Sequence, residues 1–250
     1  MNVLDGIVND LKYDSNTLSI VLIGSGSRGE LDRYSDLDLH VIVEATRPPD
    51  QMFYRDDRLV FVNFLDRANR EAMFTDPWYA LKNMAAVRNA QILFDPKGWY
   101  ADYQHRANLF DWSDVAVSAD AALSWVFTEN VEMVHKILGG LSKNDDEKTL
   151  YATVELVHAL TNVSALANGV LSNSENRFWR AVSESEHDSE WKALYWIALG
   201  FKSESVQARA EAVLRLYQRT ALLYRNKLLL QHQSMVERVC ALIASRGQKV

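Results

Sequence analysis

The segment SIVLIGSGSRGELDRYSDLDLHVIV, residues 19–43, contains the pattern that decides the fold. Residues 19–23 are a short run rich in β-branched side chains, which is typical of a strand buried on both faces. The following Gly24–Ser27 allows the backbone to turn tightly and exposes amide and hydroxyl groups. Because such groups bind phosphate oxygens, the segment predicts a strand that ends at a phosphate-binding turn.

A second predicted strand follows the turn and has polar residues at every second position. Asp36, Asp38 and His40 alternate with apolar residues, and the side-chain period of a strand places all three on one face. Two neighbouring carboxylates repel each other unless a cation lies between them. Magnesium prefers such oxygen ligands. The sequence therefore predicts a magnesium site beside the turn, with Asp36 and Asp38 as metal ligands.

The order of these motifs resembles a known family. Gly24-Ser25, a spacer and Asp36-Leu37-Asp38 between two strand patterns resemble the signature of the polymerase-β-type nucleotidyltransferases. Arg28-Gly29-Glu30 and Tyr34-Ser35-Asp36 resemble the fuller signature of the small antibiotic-modifying members, most of all the lincosamide group and then the aminoglycoside enzymes. A hairpin with a solvated acidic face is the alternative interpretation of the same residues.

The third main strand lacks an acid that the resemblance implies. By similarity a third carboxylate is expected at or next to Phe61, but neither face of residues 59–65 carries one. A second metal ion would lose a ligand there. Three interpretations stay open: another acid reaches the site (Asp56, Asp57 or Asp66), the enzyme uses fewer protein ligands, or catalysis has been lost.

The rest of the chain divides into two predicted domains. The first half continues with strands at residues 52–54 and 91–95, the second an edge strand, and helices at residues 3–11, 67–74, 78–88 and 97–106. Asp76-Pro77 predicts the start of the third of these helices, with Asp76 as its N-cap. From about residue 110 the pattern is continuously helical, with a break predicted at Gly139-Gly140 and residues 142–146. We predict an α/β (α+β) nucleotidyltransferase domain with a mixed sheet at residues 1–109, and an all-α helical bundle at residues 110–250 that binds the acceptor.

Composition restricts the class of protein. A chain of 250 residues with 48% hydrophobic content is long enough for two units with buried cores. The formal net charge of −6 disfavours a main role in binding nucleic acid. Cys240 is the only cysteine, which excludes a disulfide framework and a cysteine-based zinc site. Without a signal-peptide pattern or a membrane-span run, we expect a cytoplasmic protein with no membrane partner.

The resemblance implies a reaction and a set of site residues. The implied enzyme is a nucleotidyltransferase that moves a nucleoside monophosphate from MgATP, or another nucleotide, to a hydroxyl of a small molecule such as a lincosamide or aminoglycoside. Asp36 and Asp38 would hold magnesium. The residues expected to bind the nucleotide are Gly24, Ser25, Ser27 and Arg28, of which Ser27 and Arg28 have an alternative interpretation as ordinary surface residues.

A hydroxyl acceptor benefits from a general base, and the helical half would supply the acceptor pocket. Glu71 is the first candidate base by similarity and Asp66 the second, although a solvated helix glutamate is the alternative for Glu71. Trp125, Tyr151 and Trp179 are candidate pocket walls, with burial in the core as the favoured alternative. The last helices offer an apolar stripe through which a homodimer would form.

Two other functions are kept as alternatives. In the first, the nucleotidyl group is transferred to a macromolecule, either to a protein side chain or to an RNA end. The acidic net charge disfavours an RNA acceptor but not a protein acceptor. The second is a non-catalytic nucleotide-binding module, which the missing acid near Phe61 favours.

Overall fold

The computed structural model describes residues 3–45, 47–66, 70–202 and 204–246. These residues form two compact units. The first contains the described residues up to Val115 together with Leu171–Arg177, and the second contains Ala116–Val170 and the described residues from Phe178 onwards. The sequence placed a boundary close to the end of the first segment, but it did not predict that residues 171–177 pack with the N-terminal unit.

The first unit is built on a mixed five-stranded sheet, which confirms the predicted fold class. Its elements are α1 (Val3–Leu11), β1 (Thr17–Ile23), α2 (Gly24–Ser27), β2 (Leu37–Val43), β3 (Gln51–Arg55), β4 (Arg58–Asp66), α3 (Pro77–Arg88), β5 (Gln91–Phe94) and α4 (Trp99–Leu109). The helix predicted over residues 67–74 falls partly outside the described residues, and within them Ala72–Phe74 is a single 3₁₀ turn.

The strand order is β3-β4-β2-β1-β5, so β5 is an edge strand as predicted. β2 and β4 are parallel, while the other neighbouring pairs are antiparallel. Asp56 and Asp57 form the turn between β3 and β4 with φ values of 48° and 60°. The parallel register places Phe61 of β4 directly opposite Asp38 of β2.

The two faces of the sheet pack against different helices. Leu39 and Val41 of β2 belong to a core cluster that includes Ile7 of α1. Ile42 of β2 belongs to a second cluster, with Met84 of α3 and other residues of α3 and α4. Because side chains alternate along a strand, Asp38 of β2 shares the face of Ile42, and Asp36 immediately precedes the strand. The candidate site therefore lies on the sheet face that α3 and α4 cover.

Residue types at the start of α3 explain where that helix begins. Asp76 is its N-cap, and its Oδ1 accepts hydrogen bonds from the amides of Trp78 at 2.8 Å and Tyr79 at 3.2 Å. Pro77 occupies the first helical position, where a missing amide hydrogen has no cost. The prediction of a helix starting at this Asp-Pro pair is confirmed.

The second unit consists of helices, as predicted. They are α5 (Ala116–Glu129), α6 (Val131–Lys143), α7 (Asp146–Asn168), α8 (Phe178–Ser185), α9 (Ser189–Leu199), α10 (Val206–Leu223) and α11 (Leu230–Arg246). None of the helices in the described part of the chain is both long enough and apolar enough to cross a membrane.

The predicted helix break is wrong at Gly139-Gly140 and is confirmed over residues 142–146. α6 continues through both glycines and ends at Asn144, which has a left-handed φ of 52°. A Cβ atom at Gly140 would lie 2.3 Å from the Thr149 Oγ1 of α7. The glycine therefore permits close packing of α6 on α7 rather than ending the helix.

Candidate functional site

The Gly-Ser motif forms a short helix packed directly on the acidic strand. β1 ends at Ile23 and α2 begins with Gly24, whose φ of +67° lies in the left-handed region. A Cβ atom at Gly24 would lie 2.7 Å from the Asp38 Oδ2. Only glycine combines this backbone conformation with the space that the Asp38 carboxylate needs. The structure thus brings the predicted turn and Asp38 of the predicted acidic pair together.

The Asp38 carboxylate is in an environment that opposes its ionisation. Burial is the main cause that raises the pKa of Asp38 to about 6, and the charges of Asp36 and Glu175 add to it. A bound cation would reverse this effect because it favours the ionised form. The carboxylates of Asp36 and Asp38 are oxygen donors of the kind that magnesium binds, and Gly24 leaves space beside Asp38 because it has no side chain.

The predicted nucleotide-binding residues lie around α2, with different partners. The Ser25 hydroxyl has no hydrogen-bond partner among the described residues, so it is available to a phosphate oxygen. Ser27 Oγ donates to the Gly24 carbonyl at 3.1 Å. Arg28 is already bonded: its Nε donates to Glu30 at 2.8 Å and its Nη1 donates to the carbonyl of Asn173 at 2.9 Å.

The described residues contain no group of three or more acidic, histidine or cysteine side chains placed to hold one metal ion. Phe61, half-buried, occupies the position opposite Asp38. Asp56 and Asp57 are exposed in the β3–β4 turn. Asp66 lies five residues beyond Phe61 along β4, which is about 16 Å at the rise of a strand.

Glu71, the predicted base, is held in an ion pair. Its two carboxylate oxygens accept from the Arg106 guanidinium at 2.9 and 2.7 Å. Both side chains are about half exposed, at 55% and 43%. The bidentate contact fixes the orientation of the Glu71 carboxylate beside α4.

A buried arginine, Arg70, contacts His40 and was not predicted from the sequence. Arg70 is only 5% exposed, and its Nη2 lies 3.2 Å from the Nδ1 of His40. Burial and the charge of Arg70 lower the pKa of His40 to about 3, so the imidazole is neutral and its Nδ1 accepts. The Oδ1 of Asn63, opposite His40 on β4, is buried without a hydrogen-bond partner in the described residues. Arginine is usually exposed, so nothing in the sequence signals this burial.

The three aromatic residues proposed as pocket walls are on the surface of the second unit. Trp125, Tyr151 and Trp179 are 50%, 56% and 41% exposed, so the favoured alternative of burial in the core is wrong. Tyr151 and His158 are seven residues apart on α7 and share one face, and the ring of Trp179 lies 5.9 Å from that of His158.

Comparison with known proteins supports the interpretation of the N-terminal unit. Residues 4–78 match the family model of the nucleotidyltransferase domain. A nucleotidyltransferase-like protein from Exiguobacterium sibiricum has a similar fold, with a TM-score of 0.54 and 14% sequence identity over 90% of this chain and 76% of that chain. No curated protein matches the chain. The glycine-serine turn and both acidic residues therefore lie inside a segment that matches a nucleotidyltransferase domain.

Proposed function

We propose that the protein is a magnesium-dependent nucleotidyltransferase that moves a nucleoside monophosphate from ATP, or another nucleoside triphosphate, to a hydroxyl of a small molecule. The observation that carries this proposal is the contact between the two motifs. Gly24 lies so close to Asp38 that a methyl group would not fit, and both belong to the segment that matches the nucleotidyltransferase domain.

The reaction joins an acceptor oxygen to the α-phosphorus of the nucleotide and breaks the bond from that phosphorus to the pyrophosphate oxygen. Asp36 and Asp38 would hold magnesium, which when bound supplies positive charge that neutralises the phosphate oxygens. The free Ser25 hydroxyl and the amides of α2 would bind the outgoing pyrophosphate. These residues position and neutralise charge, which is most of what phosphoryl-type transfer requires of a protein.

The acceptor hydroxyl must lose its proton during the transfer. Glu71 remains the first candidate for the base, and its ion pair with Arg106 would hold the carboxylate in a fixed orientation. Asp66 remains the second candidate, but its position at the far end of β4 from Phe61 makes it the weaker one.

The helical unit is proposed to bind the acceptor. Exposed aromatic rings at Tyr151 and Trp179, the second beside the ring of His158, are suited to stacking on a ring or sugar. The net charge of −6 suits an acceptor with positive charge, such as an aminoglycoside, while a lincosamide is proposed from the sequence resemblance alone. Dimerisation through the last helices remains a prediction.

A specific observation favours a second candidate function, the non-catalytic nucleotide-binding module. Phe61 lies opposite Asp38 at the place where the resemblance implies a third acid. A protein that binds nucleotide without transferring it would bind MgATP and release no pyrophosphate under any condition.

Product analysis distinguishes these functions. The purified protein is incubated with α-labelled ATP or GTP, magnesium, and a panel of lincosamides, aminoglycosides and a model protein, and the products are separated by mass. A labelled small molecule supports the proposal, and a labelled protein supports a macromolecular acceptor. Tight MgATP binding without pyrophosphate release across the panel would favour the non-catalytic module. The Asp38→Asn variant is the control for contaminating activity.

A further inference from the structure

An apolar patch lies beside Asp38 on the site face of the sheet. Met52 of β3 pairs with Phe61 of β4, and two residues further along Tyr54 pairs with Leu59. Phe61 in turn pairs with Asp38, and paired positions of neighbouring strands carry their side chains on the same face. The apolar patch is defined here as Met52, Tyr54, Leu59 and Phe61. It continues the face of Asp38 across β4 to the edge strand β3.

The contacts of the intervening residues show which way β3 faces. Phe53 packs against the core cluster on the α1 side of the sheet. The Nη1 of Arg55 donates to the carboxylate of Asp10 in α1 at 3.2 Å. Because side chains alternate along a strand, Met52 and Tyr54 point to the opposite side, which is the side of the candidate site.

The patch is exposed although it is apolar. Met52 is 68% exposed and Tyr54 is 74% exposed, while Leu59 and Phe61 are half-buried. Single exposed apolar residues are common on proteins, but contiguous ones beside polar residues mark binding surfaces. Edge strands are commonly protected by charged side chains, whereas β3 presents a thioether and a phenol ring on this face. A ligand that covered the patch would remove this apolar surface from water.

The direction of the proposed reaction decides which substrate covers the patch. The strand order puts β1 and β4 on opposite sides of β2. Under the proposed function, Ser25 and the amides of α2 bind the outgoing pyrophosphate, and α2 follows β1 directly. The attacking and leaving oxygens of such a transfer are roughly in line. The acceptor hydroxyl therefore approaches Asp38 from the β4 side, where the patch begins.

We infer, on the basis of the proposed function, that the apolar patch binds the acceptor and selects a small alcohol with an apolar group next to its reactive hydroxyl. At the spacing of neighbouring strands, the backbone of Phe61 lies about 5 Å and that of Met52 about 10 Å from that of Asp38. An alkyl chain or ring of this length covers the patch when the hydroxyl reaches the α-phosphorus. A polycationic sugar would instead lose the hydration of its ammonium groups there.

Phe61 has a role of its own in this arrangement. It stands where the resemblance implies a third acid, and it is the member of the patch that pairs directly with Asp38. An acid at this position would favour a positively charged acceptor, whereas the aromatic ring favours an apolar one. Phe61 is therefore a specificity-determining residue for the acceptor.

Acceptor binding by the full chain tests the inference. Lincomycin is the amphipathic probe and kanamycin the polycationic one, and their affinities are measured by calorimetry with magnesium and a non-hydrolysable ATP analogue present. We expect the wild type to bind lincomycin more tightly than kanamycin. Met52→Ser/Tyr54→Ser should weaken lincomycin binding about tenfold, which corresponds to burial of roughly half of one large apolar side chain.

A matched variant controls for the loss of an exposed aromatic ring. Tyr13→Ser removes a tyrosine that is 83% exposed in the turn after α1, outside the patch, and it should leave lincomycin affinity unchanged. Unchanged lincomycin affinity in Met52→Ser/Tyr54→Ser overturns the inference. Absent lincomycin binding, or tighter binding of kanamycin by the wild type, overturns the proposed acceptor class. Met52 and Tyr54 are exposed, so their substitution leaves the fold intact.

MgATP affinity without acceptor separates the inference from the proposed function. It should be equal in the wild type and in Met52→Ser/Tyr54→Ser, because the patch lies on the acceptor side of Asp38. A loss of MgATP affinity in the double variant would assign the patch to the nucleobase and overturn the inference alone. If Asp38→Asn binds MgATP as tightly as the wild type, the metal site of the proposed function is wrong and the inference is overturned with it.

Discussion

At the scale of single residues, Asp38 has an environment that favours function over stability. Its pKa is raised to about 6 from an ordinary value of 3.8, with burial as the largest cause. The unfolded chain therefore releases this proton at a lower pH than the folded protein does. The contribution of Asp38 to stability is present below pH 4 and is lost as the pH rises through 6.

Asp38→Asn should consequently stabilise the metal-free protein at pH 7.5. Asparagine has nearly the same size and no charge to desolvate, so we expect a Tm increase of roughly 2–4 °C, corresponding to about 1 kcal/mol after allowance for solvent screening. The increase should disappear at pH 4. Magnesium should raise the Tm of the wild-type protein only. Thermal melts at both pH values check this, and a less stable variant at pH 7.5 would contradict it.

Two glycines with the same backbone strain provide a matched test of the turn. Gly24 and Gly29 have φ values of +67° and +70°, but an added Cβ would meet Asp38 at Gly24 and nothing within 4 Å at Gly29. Alanine at either position should cost about 1–2 kcal/mol of folding free energy. Only Gly24→Ala should also reduce ATP affinity sharply, by tenfold or more, as measured by calorimetry. Equal ATP affinities in the two variants would show that the turn does not bind the triphosphate.

The ion pair of Glu71 allows its catalytic role to be separated from a structural one. If Glu71 is the base, Glu71→Gln should lower kcat by about 10²–10⁴. Arg106→Met breaks the same ion pair but keeps the carboxylate, so it should retain most of kcat. Steady-state kinetics with the identified acceptor measures both. Similar small losses in the two variants would assign Glu71 a structural role.

At the scale of elements, the parallel pairing of β2 and β4 determines what lies beside the acidic strand. Its register puts Phe61 opposite Asp38 and Asn63 opposite His40, so β4 presents an aromatic ring and an amide with a buried oxygen there instead of an acid. The helical unit shows the same dependence on neighbours, because α6 is continuous where its own sequence suggests a break.

The adjacent glycines of α6 should respond oppositely to alanine. At Gly140 the new methyl would lie 2.3 Å from Thr149, while at Gly139 the nearest atom is the flexible end of Lys148 at 3.4 Å. Gly139→Ala should stabilise the protein by up to about 1 kcal/mol through helix propensity. Gly140→Ala should destabilise it by roughly 1–3 kcal/mol through overpacking. Urea unfolding measures both, and a stabilising Gly140→Ala would contradict the close packing.

At the scale of the whole molecule, one loop of the helical half of the sequence is a structural part of the first unit. Leu171→Ala should therefore destabilise the protein by about 1–3 kcal/mol, below the full cost for a buried leucine because Leu171 is only partly buried. Leu222→Ala, at a leucine that is 64% exposed on α10, is the control. Unchanged stability in Leu171→Ala, measured by urea unfolding, would show that the packing of this segment is dispensable.

The sequence by itself determined the elements whose signals are local. Period-two alternation placed Asp36 and Asp38 on one face, the Gly24-Ser25 pair marked the turn, and the cap at Asp76 marked the start of α3. The strands of the sheet and the helical second half were predicted for the same reason, since the spacing of apolar residues within a short segment indicates its secondary structure. Roles of individual site residues remain predictions.

Only the tertiary structure decided which distant residues meet. The burial of Arg70 against His40, the continuity of α6 at Gly140, and the contact of Arg28 with Asn173 depend on what packs opposite each residue. Asn173 is separated from Arg28 by more than half of the chain, and no sequence periodicity connects positions so far apart. Local patterns report the conformation of a segment, whereas the composition of the site is set by contacts that form only when the chain folds.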